Sequence, residues 1–480
     1  MKLIHPLIIL RILSIILIIG GLSIFCCIPI ALIYHESFWA FIYSGLISSL
    51  LGLIAFIYTS NEDMSQVSSR DGYVAVTLSW LEFSLLGCMP YLFSGVIPDF
   101  FNAFFESTSG ITTTGASILT NIEGSPKSIL FWRQLTHWIG GIGIILLIII
   151  ILPSLKIRTQ QFLTLESSLK EKILPKTKSI GLRLLYVYLT LTLAETLLLW
   201  LGEMDLFDSV CHAFTTISTG GFSTKNDSIA SCSPYTQNVI SVFMYLAGIS
   251  FVLFYFIVKK KFNKVINNEE LWFYTAIVLV SGILVSITII PTMGSVSDAF
   301  RTGFFQVLSI ISTTGLATSD FAQWSDSSVL IIFLLFFTGA CAGSTSGGLK
   351  MGRILVAFKN INVTFKRLHH PKLMQPIRYN GRRLSDKENH SIMSFVVLYV
   401  LIFFLGAFVL LLTGIDPITA VSSSIASIGC VGPALGTAGP MSNFAHFPDS
   451  AKLFMSLFMI LGRLELMSVF VLFSKPFWRL

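Results

Sequence analysis

"ITTTGAS", Ile111 to Ser117, is small, polar and centred on glycine, yet it lies between long apolar runs. Related stretches follow at "ISTGGFS" (Ile217 to Ser223), "ISTTGLA" (Ile311 to Ala317) and "ASIGCVG" (Ala426 to Gly432). Aligning one glycine in each, Gly115, Gly220, Gly315 and Gly429, gives steps of 105, 95 and 114 residues. A near-constant step with a matching local pattern is an internal repeat.

The surroundings set the class. Of 480 residues, 54% are hydrophobic and only 12% charged, with a mean hydropathy of +0.78. A soluble domain carries about 25% charged residues, so the composition indicates a polytopic membrane protein embedded in a lipid bilayer. The seven cysteines are scattered without a CxxC pair, which argues against a disulfide framework or a zinc site. No GxxxxGK[ST] phosphate loop occurs, so no nucleotide site is expected in this chain. The apolar stretch Leu7 to Tyr34 is far longer than the apolar core of a signal peptide, about 7–15 residues, and is expected to stay as a membrane helix. Phe38 to Tyr58 is expected to return across the bilayer.

After this pair (residues 1–70) four units follow, at 71–180, 181–268, 269–390 and 391–480. Each has an apolar span, a short amphipathic segment, a glycine-bearing polar stretch and a second span. The first spans are Tyr73–Phe93, Leu182–Leu201, Leu271–Ile290 and Ile392–Thr413. The short segments are Phe100–Gly110, Leu206–Thr216, Val296–Ile310 and Pro417–Ser427. The second spans are Ile129–Leu152, Val239–Val258, Val329–Thr338 with its continuation, and Ala451–Phe473. At about 1.5 Å per residue the short segments reach only about half-way across the hydrocarbon. Asp205, Asp298 and the Asp416-Pro417 pair sit where helix caps would fall.

Each short helix therefore points its C-terminal carbonyls at the membrane centre. Irregular backbone at that depth is tolerated only when buried or lining a water-filled path. Four such loops about one axis would surround it with carbonyl oxygens, the way a potassium filter replaces a hydration shell. The expected fold is thus all-α, with four helix–pore helix–filter–helix repeats around a central pore. The expected potassium-binding filter residues are Thr113, Thr114 and Gly115; Ser218, Thr219 and Gly220; Thr313, Thr314 and Gly315; and Ile428, Gly429 and Cys430. Potassium would be held at backbone carbonyls, as cargo rather than as a cofactor, and no cofactor is expected.

The charge supports this topology. Lysine and arginine number 7 in Lys156–Arg183, 4 in Lys259–Lys264, 10 in Lys350–Lys387 and 2 after Phe473, which is 23 of the 32. With both termini cytoplasmic, these tracts follow the positive-inside rule, so the net charge of +7 needs no nucleic-acid partner.

The repeated unit, with "HWIGGIGI" (His137 to Ile144), "GACAGSTSGGLKMGR" (Gly339 to Arg353) and "LGRLEL" (Leu461 to Leu466), resembles the Trk/Ktr/HKT superfamily of potassium transporters. The two extra N-terminal helices are most similar to its bacterial TrkH branch. One departure is Cys430 in the fourth filter, where that family often has asparagine. The resemblance implies potassium uptake across the bacterial inner membrane, a homodimer, and a separate cytosolic TrkA-like nucleotide-binding subunit. The tract with Arg367, Lys372, Arg378, Arg382 and Arg383 is the expected docking surface for that subunit. It also implies that Gly343, Ser344, Thr345, Ser346, Gly347 and Gly348 form an intramembrane gating loop. From the residues alone, this glycine-rich stretch reads equally as a helix packed closely through small residues. Arg463 falls mid-span and must face a carboxylate such as Glu465, other protein, or the pore; the resemblance places it beneath the filter. Lys350 would do similar work or anchor at the inner interface. Glu82 and Glu195, within apolar spans, are expected to pack or to bridge repeats, and His137 and His212 to be structural.

Two other readings carry tests. An intramembrane enzyme would need catalytic residues clustered at one depth, whereas the repeats place hydroxyls and glycines there. A secondary transporter would show two inverted halves, whereas these units all run the same way. The nearest alternative is a pore-like potassium symporter driven by H+ or Na+.

Overall fold

A computed structural model describes residues 4–64, 67–146, 177–372 and 374–478. Most of the basic tract from Lys156 and the end of the first unit's second span lie outside the described residues.

The N-terminal pair consists of helix Pro6–Phe25, continued after a short break by Ile28–Ile33, and helix Trp39–Tyr58. Small residues let the two backbones meet: a side chain at Gly52 would strike Leu17 and Ile18. The faces left over, with Leu50, Leu53, Ile54 and Ile57, are exposed and apolar, as lipid contact requires.

The four short helices form at Phe100–Ile111, Leu206–Ser218, Val296–Ile311 and Pro417–Gly429. Asp99, Asp205 and Asp416 accept the backbone N–H of Asn102, Asp208 and Thr419 at 2.9, 2.7 and 3.0 Å. The Thr419 hydrogen bonds hold the Asp416 carboxyl below the usual carboxylate range. In the third helix the cap is Ser295 and not Asp298. Asp298 sits one turn inside and pairs with Arg301 at 2.7 Å, satisfying a first-turn preference for acid instead.

The first spans are continuous helices, ending in Met89–Ser94 for the first unit after Ser69–Gly87, then Thr177–Trp200, Glu269–Met293 and Asp386–Leu412. The second spans differ from the simple spans expected. Pro234–Ala247 and Phe251–Val258 meet at 91°, and Asp449–Arg463 and Leu466–Phe473 at 105°. In the third unit helix Asp326–Phe336 stops after eleven residues and no helix resumes until Met351. Gly248, Ser250 and the 338–350 segment break the helices where hydrogen bonds to other segments replace the helical ladder: Phe251 N–H donates to Gly343 O at 3.0 Å and Cys341 N–H to Gly248 O at 3.0 Å. Arg463 therefore ends a helix at the bend in the middle of the expected span, rather than lying on a continuous one.

Six described helices are long and apolar enough to cross a membrane, or eight if each bent pair counts as one span. The chain is a mostly helical, multi-pass membrane protein. The long basic tract after Met351 holds a helix to His369 and a two-stranded hairpin, Arg378–Tyr379 with Arg382–Arg383. Its turn is Asn380-Gly381, both at positive φ (48° and 73°), the geometry that a two-residue hairpin demands.

Candidate functional site

Each short helix ends the same way. Thr113, Thr219, Thr313 and Cys430 stand in the left-handed region, at φ 52°, 58°, 61° and 53°. Threonine there is an outlier, since its branched side chain crowds the backbone. The strain recurs because the next amide turns back to close the helix: Thr114, Gly220, Thr314 and Val431 donate to the carbonyls of Ser109, Thr215, Ser309 and Ala426, at 2.9, 2.7, 2.8 and 2.9 Å. Next comes a glycine with φ between 78° and 94°: Gly115, Gly221, Gly315 and Gly432.

These glycines interlock in a cycle. A side chain at Gly115 would collide with the carbonyl oxygen of Gly220, one at Gly221 with Thr314 O, and one at Gly315 with Val431 O. The cycle closes at Gly432, whose Cβ would lie 2.6 Å from Thr114 O. Four loops thus pack head to tail, each on the next, around one axis. The carbonyl oxygens of 113–115, 219–221, 313–315 and 430–432 accept no hydrogen bond among the described residues. Gly115, Gly221 and Gly315 are part-exposed, but the other nine residues are buried. An unsatisfied buried carbonyl costs about 1–3 kcal/mol, so leaving those unpaired would rival the usual net stability of a domain, about 5–15 kcal/mol. Something other than the donors of the described residues must satisfy them.

The register differs from the sequence alignment in two quarters. Gly221 and Gly432, and not Gly220 and Gly429, occupy the places of Gly115 and Gly315. Gly429 is the last residue of its helix, in line with Thr112. Ser218 and Ile428 likewise lie within their helices, so the fourth loop proper is Cys430, Val431 and Gly432. Gly220 is small for a different reason: the His137 ring lies against it.

His137 is structural, as its lone position suggested. Its Nδ1 meets Gly110 O at 2.6 Å, its Nε2 accepts the Phe222 N–H at 3.2 Å, and its ring stacks on Phe222. The donor and acceptor it contacts assign Nδ1 the proton. His212 is held likewise by Asp208 O and Ser223 Oγ. Glu195 is fully buried and lies near Thr216 of the second short helix. A buried ion pair braces the first two loops from behind. Glu106 pairs with Arg133 at 2.8 Å and accepts from Ser117 Oγ and Ile118 N–H. Arg133 also donates to Ser223 O and lies 3.9 Å over the Phe222 ring.

The glycine-rich segment of the third unit is a loop rather than a helix. Its two ends are drawn together: Gly339 N–H donates to Leu349 O and Met351 N–H to Ala340 O, both at 3.1 Å. Its tip lies against the ring. Thr345 Oγ1 donates to Ile217 O at 3.0 Å, Gly347 N–H to Thr313 Oγ1 at 2.8 Å, and a side chain at Gly347 would strike Gly429 O. Three quarters of the ring are touched. Arg463 connects the loop to the remaining one, donating to Thr345 O at 2.6 Å and Gly140 O at 3.2 Å. It has no carboxylate partner among the described residues. Glu465, its expected alternative partner, is taken by Arg353 at 2.6 Å. Lys350 reaches back to Ser346, bonding its carbonyl oxygen and, at 3.0 Å, its hydroxyl.

Within the basic tract expected to dock a partner, Arg382 is already paired with Glu388 at 2.7 Å, whereas Arg383 is exposed. Arg367 and Lys372 are exposed as well.

Comparison with known proteins agrees with this architecture. A profile for TrkH, described as a cation transport protein, matches residues 40–478. The Trk system potassium uptake protein TrkH of Salmonella typhimurium is 34% identical over 464 residues, 94% of each chain. The Trk system potassium uptake protein TrkG of Escherichia coli is 33% identical, covering 96% of each. The crystal structure of the potassium transporter TrkH from Vibrio parahaemolyticus superposes with a TM-score of 0.89 at 30% identity, over 99% of this chain and 100% of that one. This chain therefore belongs to the TrkH family of cation transport proteins, a family of transporters and not of enzymes.

Proposed function

We propose that this protein takes up potassium across the bacterial inner membrane through a single channel-like pore. The observation that carries the reading is the closed cycle of four strained loops whose carbonyls find no donor among the described residues. Oxygens so arranged can replace the hydration shell of a cation at little reorganisation cost. The ligating residues are Thr113, Thr114 and Gly115; Thr219, Gly220 and Gly221; Thr313, Thr314 and Gly315; and Cys430, Val431 and Gly432. The names of similar proteins support potassium as the ion.

The loop Gly343–Gly348 is the gate, since it lies against three quarters of the ring and is tied to the first unit through Arg463 and Gly140. A guanidinium without a carboxylate partner leaves its positive charge directed at a passing cation. Regulation comes from outside the chain: a homodimer of pores with a cytosolic TrkA-like nucleotide-binding subunit docked on the basic hairpin, both termini being cytoplasmic. The test is rubidium uptake into liposomes holding the purified protein, with and without a loop shortened between Gly343 and Gly347. Shortening should raise flux and leave the order of ion preference intact; unchanged flux would remove the gate assignment.

A further inference from the structure

The gating loop is not anchored by its own residues alone. Glu270, in the first turn of helix Glu269–Met293, is buried and uses both carboxylate oxygens. Oε1 accepts the N–H of Ala342, where the loop begins, at 2.7 Å. The same oxygen accepts the N–H of Gly352, in the first turn of the helix that follows the loop, at 2.8 Å. Oε2 accepts the hydroxyl of Tyr379, in the first strand of the hairpin, at 2.7 Å. One side chain therefore joins both ends of the loop to the cytosolic hairpin.

The hairpin is firmly seated around this contact. Tyr379 and Leu384 pack with Val356 and Ile392 in a small apolar core. Asn380 Oδ1 accepts the Glu269 N–H at 2.8 Å, and Lys359 bridges Glu269 to Arg378 O. Gly352 leaves the space the arrangement needs, because a side chain there would lie 2.6 Å from the Tyr379 hydroxyl. A shift of the hairpin cannot be absorbed by a loose joint and must move Glu270 or break its bond.

We propose that Glu270 is a positioning residue that couples the Tyr379 hairpin to the intramembrane loop, so that displacement of the hairpin frees both loop ends at once. This rests on the gate reading above. A hydrogen bond to a charged group contributes about 1.5–3 kcal/mol, so losing the Tyr379 bond in the closed state should shift the gate by about tenfold or more.

The experiment uses the full chain in liposomes, reading rubidium influx together with hydrogen exchange of the amides from Ala342 to Gly352. Tyr379→Phe removes one hydroxyl from a packed ring and should raise both exchange and flux about tenfold. Glu270→Ala should do so more strongly, while Glu270→Gln, which can still accept the two N–H groups and donate to the Tyr379 oxygen, should stay near the parent. In protein lacking Gly343–Gly347, Tyr379→Phe should add nothing. If loop removal fails to raise flux, the gate reading falls and takes the coupling with it. If loop removal raises flux but Tyr379→Phe leaves exchange and flux unchanged, the coupling alone is overturned. An equal effect of Tyr379→Phe with and without the loop would also overturn it. Should Glu270→Ala fail to fold, Tyr379→Phe decides the question.

Discussion

Substituting Gly432 and Gly429 separately distinguishes the ring seen here from the ring that glycine counting suggests. Gly432 has φ +94° and its Cβ would stand 2.6 Å from the Thr114 carbonyl oxygen, a backbone atom that cannot rotate away. Alanine there faces a left-handed backbone cost of about 1–2 kcal/mol. It must also push apart the fourth and first loops where the ring closes. If most of that strain appears as displaced ion ligands, the preference for potassium over sodium changes by about 5- to 30-fold. Gly429 is different. It is helical, and the nearest atoms to its Cβ, Phe336 O and Val431 Cγ2, are 3.2 Å away, so a few tenths of an ångström of adjustment suffice. Gly429→Ala should alter the preference less than about twofold, a change under roughly 0.4 kcal/mol. The assay is rubidium and sodium influx into liposomes at matched protein incorporation. A selective Gly429→Ala effect, with Gly432→Ala behaving like the parent, would refute the ring register.

Three further outcomes are expected. Arg463→Ala removes two hydrogen bonds and an unpaired charge; at an effective dielectric of about 20 a charge roughly 5 Å from the ion costs it about 3 kcal/mol, so influx should rise at least tenfold, measured as initial rubidium uptake, while Arg463→Lys should fall between. Gly115→Ser places a side chain against the Gly220 carbonyl oxygen and should raise sodium flux relative to potassium in the same assay. Arg383→Glu reverses an exposed charge and should weaken co-purification of the cytosolic subunit without changing basal flux. The same change at Arg382 would also break the Glu388 pair and so serves less well.

The short helices were legible because half-length apolar segments have few other uses in a bilayer, and two of their caps, Asp205 and Asp416, with them; Asp99 and Ser295 were not. The ring register was legible in two quarters only. "STGG" and "GCVG" each offer two glycines, and spacing cannot say which must adopt positive φ. Counting from the isoleucine at positions 111, 217, 311 and 428 gives the observed alignment, because the left-handed residue follows it by two. The hairpin is marked in the sequence only by its Asn380-Gly381 pair, a strong local turn signal. Glu106–Arg133 and Glu270–Tyr379 could not be found by spacing, being separated by 27 and 109 residues and joined only by packing. The breaks near Gly248 and Glu465 were hidden because their flanks remain apolar and continuous in composition.

The most direct test of the pore is rubidium uptake by the purified protein in liposomes under a potassium gradient alone, then with sodium or proton gradients imposed or collapsed. Uptake should follow the electrochemical gradient of the permeant ion, rise linearly with driving force, and compete with potassium far more than with sodium. Uptake that stops when a sodium or proton gradient is collapsed, and saturates as a carrier does, would contradict the pore and establish coupled symport.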